Sequence, residues 1–168
     1  MFNITIFCNI YCFSFVVFNN CASVCIINYI PVIFSIAYCY IYIINNFIYF
    51  IIFYNNTNET ITYRLVIEKS ERTNLDIEYI RYQLSVGNTY IEPKRLDAEI
   101  WNTDAVSEQL NVKGTNYILL EKTLEPLATD EIKLMLWTDY ETIPNSMQDK
   151  YFYGTLKIYA YQEINKNV

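Results

Sequence analysis

The sequence contains no histidine, and its three glycines are scattered through the second half of the chain. Histidine is the commonest general base, the activator of serine and cysteine nucleophiles, and the usual protein ligand of zinc and copper. Glycine-rich loops that cradle phosphates are equally missing. These absences remove the commonest catalytic designs, so we expect a protein without enzymatic activity, cofactor or metal.

Lysine, arginine, aspartate and glutamate are absent from the first 58 residues, and Glu59 is the first charged residue of the chain. All 12 basic and all 18 acidic residues follow it. A soluble surface needs such groups, whereas a bilayer excludes them, because each charge at its centre costs ~3 kcal/mol. The partition predicts a hydrophobic anchor over residues 1–54, followed by a polar domain.

The strongest apolar run covers residues 30–54 and is long enough to cross a bilayer, which needs ~20 residues. We expect this run to contact the lipid bilayer, either as one helix from about residue 32 or as the second arm of a helical hairpin that turns near Pro31. A different explanation is that residues 1–58 are a mis-translated segment, because they lack leucine and are dominated by residues with AT-rich codons. The absence of lysine argues against that explanation.

All five cysteines lie in the apolar part, at Cys8, Cys12, Cys21, Cys25 and Cys39. The polar domain therefore has no disulfide framework. The four-residue spacing of two pairs would place each pair on one face of a helix. Without histidine or carboxylate partners this is a poor metal-ligand set, and we interpret the cysteines as small apolar residues.

The polar part alternates apolar and polar residues with a period of two, which is typical of strands with one buried face. The alternation is clear at 61–67, 77–86, 132–138 and 154–162, and weaker at 98–102 and 116–124. Only residues 105–110 suggest a helical turn. After a short stalk at 55–60, we predict that residues 61–165 form an all-β domain, an antiparallel Ig-like β-sandwich preceded by one or two transmembrane helices.

Two segments carry a family resemblance: LEPLATDEIKLMLWTD at 124–139 and KYFYGTLKIYA at 150–160. They resemble small anchored or secreted Ig-like β-sandwich domains of Firmicutes-type bacteria, in which an L-x-I-W-x-D strand precedes a polar loop and an F-x-G-x-I strand. TITYRLVIEKS at 60–70 fits their first strand. These are mostly uncharacterised envelope proteins, some near the biofilm-fibre and camelysin-like group. The resemblance covers about 60–165 and implies an extracytoplasmic domain, although those proteins usually have a Lys-rich start and a Leu- and Gly-rich anchor.

The tyrosines at the C-terminal end are the candidate interaction surface. Tyr151, Tyr153, Tyr159 and Tyr161 could form a stripe along the last strand or strands. Tyrosine is enriched at protein interfaces. It is also a preferred strand residue that stabilises sheets through cross-strand pairs, so a purely structural role stays open.

Acidic residues near one predicted strand raise the question of calcium, which takes six to eight oxygen ligands. They are Asp130, Glu131, Asp139, Glu141 and Asp149. No calcium-loop spacing joins them, and we interpret them as a solvated rim. The pair Glu92 and Asp97 likewise lacks any feature that would define a hydrolytic cleft.

These features together predict a non-enzymatic, membrane-anchored surface protein with an extracytoplasmic domain for adhesion or assembly. Its partner would be another protein or a further copy of the chain. A net charge of −6 makes nucleic acid an unfavourable partner. The alternative is a subunit of a membrane complex, in which the β domain caps a helical hairpin.

Overall fold

The structure is a computed structural model that describes residues 8–18, 32–33, 37–44, 48–110, 112–139, 141–147 and 150–161. These residues form ten strands and one short helix. The strands are β1 (Cys8–Phe18), β2 (Val32–Ile33), β3 (Ala37–Ile44), β4 (Ile48–Asn55), β5 (Ile61–Lys69), β6 (Ile80–Val86), β7 (Thr89–Arg95), β8 (Asn116–Leu124), β9 (Thr129–Thr138) and β10 (Tyr151–Tyr161). The helix α1 is Ala105–Gln109.

The strands form two antiparallel sheets. The four-stranded sheet has the order β1-β10-β5-β8, and the six-stranded sheet has the order β2-β3-β4-β9-β6-β7. Inward side chains of both sheets meet in one apolar core, which confirms the all-β sandwich. Its members include Ile51, Phe53, Tyr63, Leu65, Ile67, Ile80, Tyr82, Leu84, Ile132, Leu134, Leu136, Phe152, Leu156 and Ile158.

The period-two alternation places the predicted faces correctly. On β9, Ile132, Leu134 and Leu136 are buried in the core, whereas Lys133 and Met135 between them are exposed. Burial of each aliphatic side chain contributes ~1.5–3 kcal/mol, so a strand with this pattern has one stable orientation. A slip of one residue would bring its polar side chains inside.

The expected transmembrane helix over 30–54 is not supported, because residues 37–44 and 48–55 are strands. β4 pairs with β9, and Ile51 and Phe53 are fully buried in the core. Isoleucine, phenylalanine and tyrosine, which dominate this run, favour strands over helices. The described residues include no helix long and apolar enough to cross a membrane.

The cysteine pairs do not share helix faces in the described part of the chain. Cys8 and Cys12 both lie in strand β1, and Cys39 lies in β3. Cys21 and Cys25 lie outside the described residues. The four-residue spacing of Cys8 and Cys12 therefore does not place them on one helix face, because this segment is a strand.

The predicted stalk at 55–60 is a tight connection attached to the sandwich. The buried Asn55 side chain donates from Nδ2 to the carbonyl oxygens of Glu59 (2.8 Å), Leu124 (3.2 Å) and Glu125 (3.0 Å). Its Oδ1 accepts from the backbone N and the Oγ1 of Thr57, at 3.0 and 2.8 Å. The predicted boundary at residue 61 thus falls between two strands of the same domain.

Two further segments differ from the expectation. β7 was not predicted as a strand, and it lies at the edge of the six-stranded sheet with Pro93 and Lys94 exposed. Proline and charge on an edge strand oppose pairing with other chains. The weak strand predicted at 98–102 is reduced to one isolated bridge between Ile100 and Tyr117.

Candidate interaction surface

The four tyrosines lie on one face of β10, directed away from the core, but only two remain accessible. Tyr159 and Tyr161 are 3% and 6% exposed. Tyr151 and Tyr153 are half-buried, with ring centroids 6.3 Å apart. The stripe therefore divides into a buried pair and a half-exposed pair.

The buried pair is covered by residues 99–112, which we call the cover segment. Trp101 of this segment packs edge-to-face on Tyr159, with centroids 5.0 Å apart. Both belong to a second apolar cluster on the outer face of the four-stranded sheet, with Val66, Leu110, Ile118 and Tyr161. The backbone N of Trp101 donates to the carbonyl of Asn116 at 2.9 Å, so the cover segment also occupies the edge of β8.

Arg64 on β5 holds the cover segment in place. Its guanidinium donates to Asp104 Oδ2 at 3.0 Å and to Glu121, and lies 4.7 Å from the centroid of the Trp101 ring. Burial opposes the charged guanidinium, but hydrogen bonds to Glu121 and Asp104 outweigh it and raise the pKa of Arg64. Arg64 therefore has a structural role, because its guanidinium already contacts both carboxylates and the Trp101 ring.

Asp104 is also the N-cap residue of helix α1, which lies in the cover segment. Its Oδ1 accepts from the backbone N of Ser107 at 2.6 Å, and the Ser107 hydroxyl accepts from the backbone N of Asp104 at 2.7 Å. This reciprocal capping box satisfies donors that the helix leaves unpaired. Burial acts to raise the pKa of Asp104, but the hydrogen bonds from Ser107, Arg64 and Trp101 lower it overall.

The acidic residues interpreted as a solvated rim differ in exposure: Glu131 and Glu141 are exposed, whereas Asp130 is buried. Asp130 lies near one end of β9 and Asp139 just beyond the other, ~30 Å apart along the strand at ~3.3 Å per residue. Asp139 pairs with Arg81 at 2.6 Å. Asp149 lies outside the described residues, and within them no three His, Cys, Asp or Glu side chains could hold one metal ion.

Asp130 instead connects the two sheets. Its Oδ2 accepts from the Tyr63 hydroxyl at 2.7 Å, and its Oδ1 pairs with Lys122 Nζ at 2.6 Å. Burial, together with the neighbouring carboxylate, raises the pKa of Tyr63 well above its ordinary value. The hydroxyl therefore stays protonated and donates, which makes this group an inter-sheet connection.

The carboxylates of Glu92 and Asp97 do not form a site together. Arg95 donates to both carboxylate oxygens of Asp97, at 2.9 and 2.6 Å, and these bonds lower the pKa of Asp97. Glu92 is exposed on the edge strand β7. The contacts of Asp97 are those of a surface ion pair, and nothing in them resembles a hydrolytic site.

The outer face of the six-stranded sheet carries apolar side chains from the charge-free part of the sequence. Phe50 and Ile52 on β4 are half-buried, and β4 places them opposite Lys133 and Glu131 of β9. Lys133 Nζ lies 6.0 Å from the centroid of the Phe50 ring. Met135, the next outward residue of β9, is 36% exposed.

The charge partition of the sequence persists in the fold. Strands β1 to β4 contain no Lys, Arg, Asp or Glu. They lie together in the strand orders, with β1 at one edge of the four-stranded sheet and β2, β3 and β4 at one side of the six-stranded sheet. One side of each sheet is therefore built from strands without charged residues.

Comparison with known proteins gives no relative: no protein family, no curated protein and no solved structure matches this chain.

Proposed function

We propose that this chain is a non-enzymatic surface protein, in which an Ig-like β-sandwich outside the cytoplasm serves adhesion or assembly. Two observations support the proposal: strands β1 to β4 contain no charged residue, and β4 carries the half-buried Phe50 and Ile52 on its outer face. Apolar side chains on an outer face are expected where a protein meets a partner.

The ion pairs of buried and half-buried groups support a structural role for the polar residues. The half-buried Arg64 pairs with Asp104 at 3.0 Å. The buried Asp130 and Lys157 pair with Lys122 and Glu68, each at 2.6 Å. Enzyme sites instead keep a perturbed group directed at a cleft where substrate can reach it. These pairs stabilise the sandwich and its cover segment.

The location follows from the resemblance to bacterial envelope domains. Attachment through a helix over 30–54 is not part of the proposal, because residues 48–55 supply a central strand and two core side chains. The alternative, a membrane-complex subunit, would direct the strands without charged residues at other subunits. Co-purification of the tagged chain with a fixed set of membrane proteins would favour it.

The test uses the full chain with a C-terminal tag, produced in a bacterial host. We expect external protease to remove the β domain from intact cells, and cells that display the chain to aggregate. Ile52→Lys should reduce aggregation, whereas Thr115→Lys, which adds the same charge at an exposed residue before β8 of the other sheet, should not. A domain that protease reaches only after lysis would refute the proposal.

A further inference from the structure

The outward row of β9 contains two opposite charges two residues apart. Glu131 and Lys133 are both exposed, and ~6.6 Å separates their positions along the strand. Within the described part of the chain, neither side chain belongs to an ion pair. Glu131 and Lys133 thus place two exposed, opposite charges on the outer face of the sheet, where they can pair with another molecule, although Lys133 also lies over the Phe50 ring.

Two apolar side chains accompany these charges on the neighbouring strand. β4 places Ile52 beside Glu131 and Phe50 beside Lys133. We call the four residues Phe50, Ile52, Glu131 and Lys133 the central patch. Each row across the strands thus combines one apolar and one charged side chain, and the two rows carry opposite signs.

This arrangement is complementary to itself under a two-fold rotation. The axis runs parallel to the sheet, midway between the two copies, crosses the strands at right angles and passes between the two rows. It places each strand opposite the same strand of the second copy, with reversed direction. Glu131 then faces Lys133 of a second copy, and Ile52 faces Phe50. Closed two-fold interfaces need this reciprocal matching, in which the contact of residue i with residue j occurs twice.

We propose that the central patch is a two-fold interface between two copies of this chain, packed sheet against sheet. The inference deepens the proposed function, on which it rests, by naming the assembly partner. Sheets that pack face to face lie ~10 Å apart, a gap that a lysine and a glutamate extending from opposite sides can close. The interface would contain two pairs of Glu131 with Lys133 and two contacts of Ile52 with Phe50.

The distribution of charge favours a second copy as the occupant. The chain carries a net charge of −6, so two copies repel each other over most orientations. Approach through the central patch avoids this repulsion, because its own charges sum to zero and the adjacent β3 and β4 are uncharged. A two-fold axis along β9 would keep the strands parallel and place Glu131 on Glu131, and an axis between β4 and β9 would place Glu131 on Ile52. Only the antiparallel arrangement pairs Glu131 with Lys133.

A charge-swap experiment on the full chain tests the interface. Sedimentation equilibrium at low salt should give a dimer for the wild type. Glu131→Lys or Lys133→Glu alone should raise the dimer dissociation constant roughly tenfold or more, because each change places like charges opposite each other twice. The double variant, Glu131→Lys with Lys133→Glu, should restore dimerisation to near the wild-type level.

Lys113→Glu is the matched control, since it makes the same charge change at an exposed loop residue before β8 and should leave the dimer intact. Circular dichroism will show that each variant folds, as expected for exposed positions. A wild-type monomer at about 100 µM, a dimer unaffected by the single changes, or a double variant that stays monomeric would each overturn the inference. A monomer whose domain remains accessible on intact cells would refute the dimer and leave the proposed surface function standing.

Discussion

The ring of Phe53 on β4 lies 4.6 Å from the ring of Tyr63 on β5, tilted by 47°. The two strands belong to different sheets, so the contact crosses the core. Phe53 belongs to the charge-free part of the sequence and Tyr63 to the polar part. Their contact shows that the change in composition near residue 59 is not a boundary between structural units.

Phe53→Ala should therefore lower the free energy of unfolding by about 3–5 kcal/mol, through the lost transfer energy and the cavity that remains. Tyr54→Ala is the control, because the adjacent side chain is half-buried on the outer face and should cost much less. Urea unfolding followed by circular dichroism measures both. Equal, small effects would mean that β4 is not part of the core.

Tyr63→Phe should destabilise the domain by about 1–3 kcal/mol, because Asp130 loses a buried hydrogen-bond donor while its charge remains. The ring itself is retained, so the packing against Phe53 is unchanged. Tyr90→Phe removes a hydroxyl from a side chain that is 66% exposed and should be neutral. Thermal unfolding of the two variants compares the loss of the buried Tyr63 hydroxyl, which should lower the midpoint temperature, with the loss of the exposed Tyr90 hydroxyl, which should not.

Acid should weaken the cover segment through Asp104. Its pKa is lower in the folded than in the unfolded chain, so its contribution to stability is present above the ordinary aspartate pKa of ~3.9 and is lost as pH falls through the folded value. Tryptophan fluorescence during acid titration should report the change at Trp101. Asp104→Asn should be less stable at neutral pH and show a shallower acid dependence; an unchanged acid slope would contradict the assignment.

Leu127→Gly should stabilise the protein, whereas most single substitutions lower the free energy of unfolding. Leu127 has a positive φ of 58° and is 59% exposed, in a turn where Ala128 N donates to the Glu125 carbonyl at 3.2 Å. A leucine in this left-handed conformation costs ~1–2 kcal/mol, most of which glycine relieves. Leu127→Ala keeps the strain and should bring no gain, and differential scanning calorimetry will separate the two.

The strands with contrasting faces were predictable from the sequence. On β5, β9 and β10 the apolar residues that a period of two assigns to one face are buried: Ile61, Tyr63, Leu65 and Ile67 on β5, Ile132, Leu134 and Leu136 on β9, and Leu156, Ile158 and Ala160 on β10. β4 was missed because Phe50 and Ile52, its outward residues, are as apolar as the inward Ile51 and Phe53. Without contrast between the faces, the period disappears, and a uniformly apolar run resembles a membrane helix.

The candidate surface was predictable only in part, because burial depends on contacts distant in sequence. The tyrosines of β10 share the predicted face, but the cover segment, which precedes Tyr159 by about fifty residues, hides two of them. β7 could not be predicted because Pro93 and its charged neighbours give no alternation of apolar and polar residues. They are compatible only with an edge strand, whose side chains face solvent. The central patch could not be predicted, because Phe50 and Ile52 lie in the segment that the sequence assigned to the membrane anchor.

The hydrogen bonds of Asn55 bear on the choice of expression host. Asn55-Asn56-Thr57 is an N-glycosylation sequon, and its Nδ2, the atom that would carry the sugar, already donates to three carbonyl oxygens. A glycan attached during synthesis in a eukaryotic secretory pathway would disrupt this buried group and keep β4 from closing on the end of β8. Recombinant protein for the experiments above should therefore come from a host that does not glycosylate asparagine.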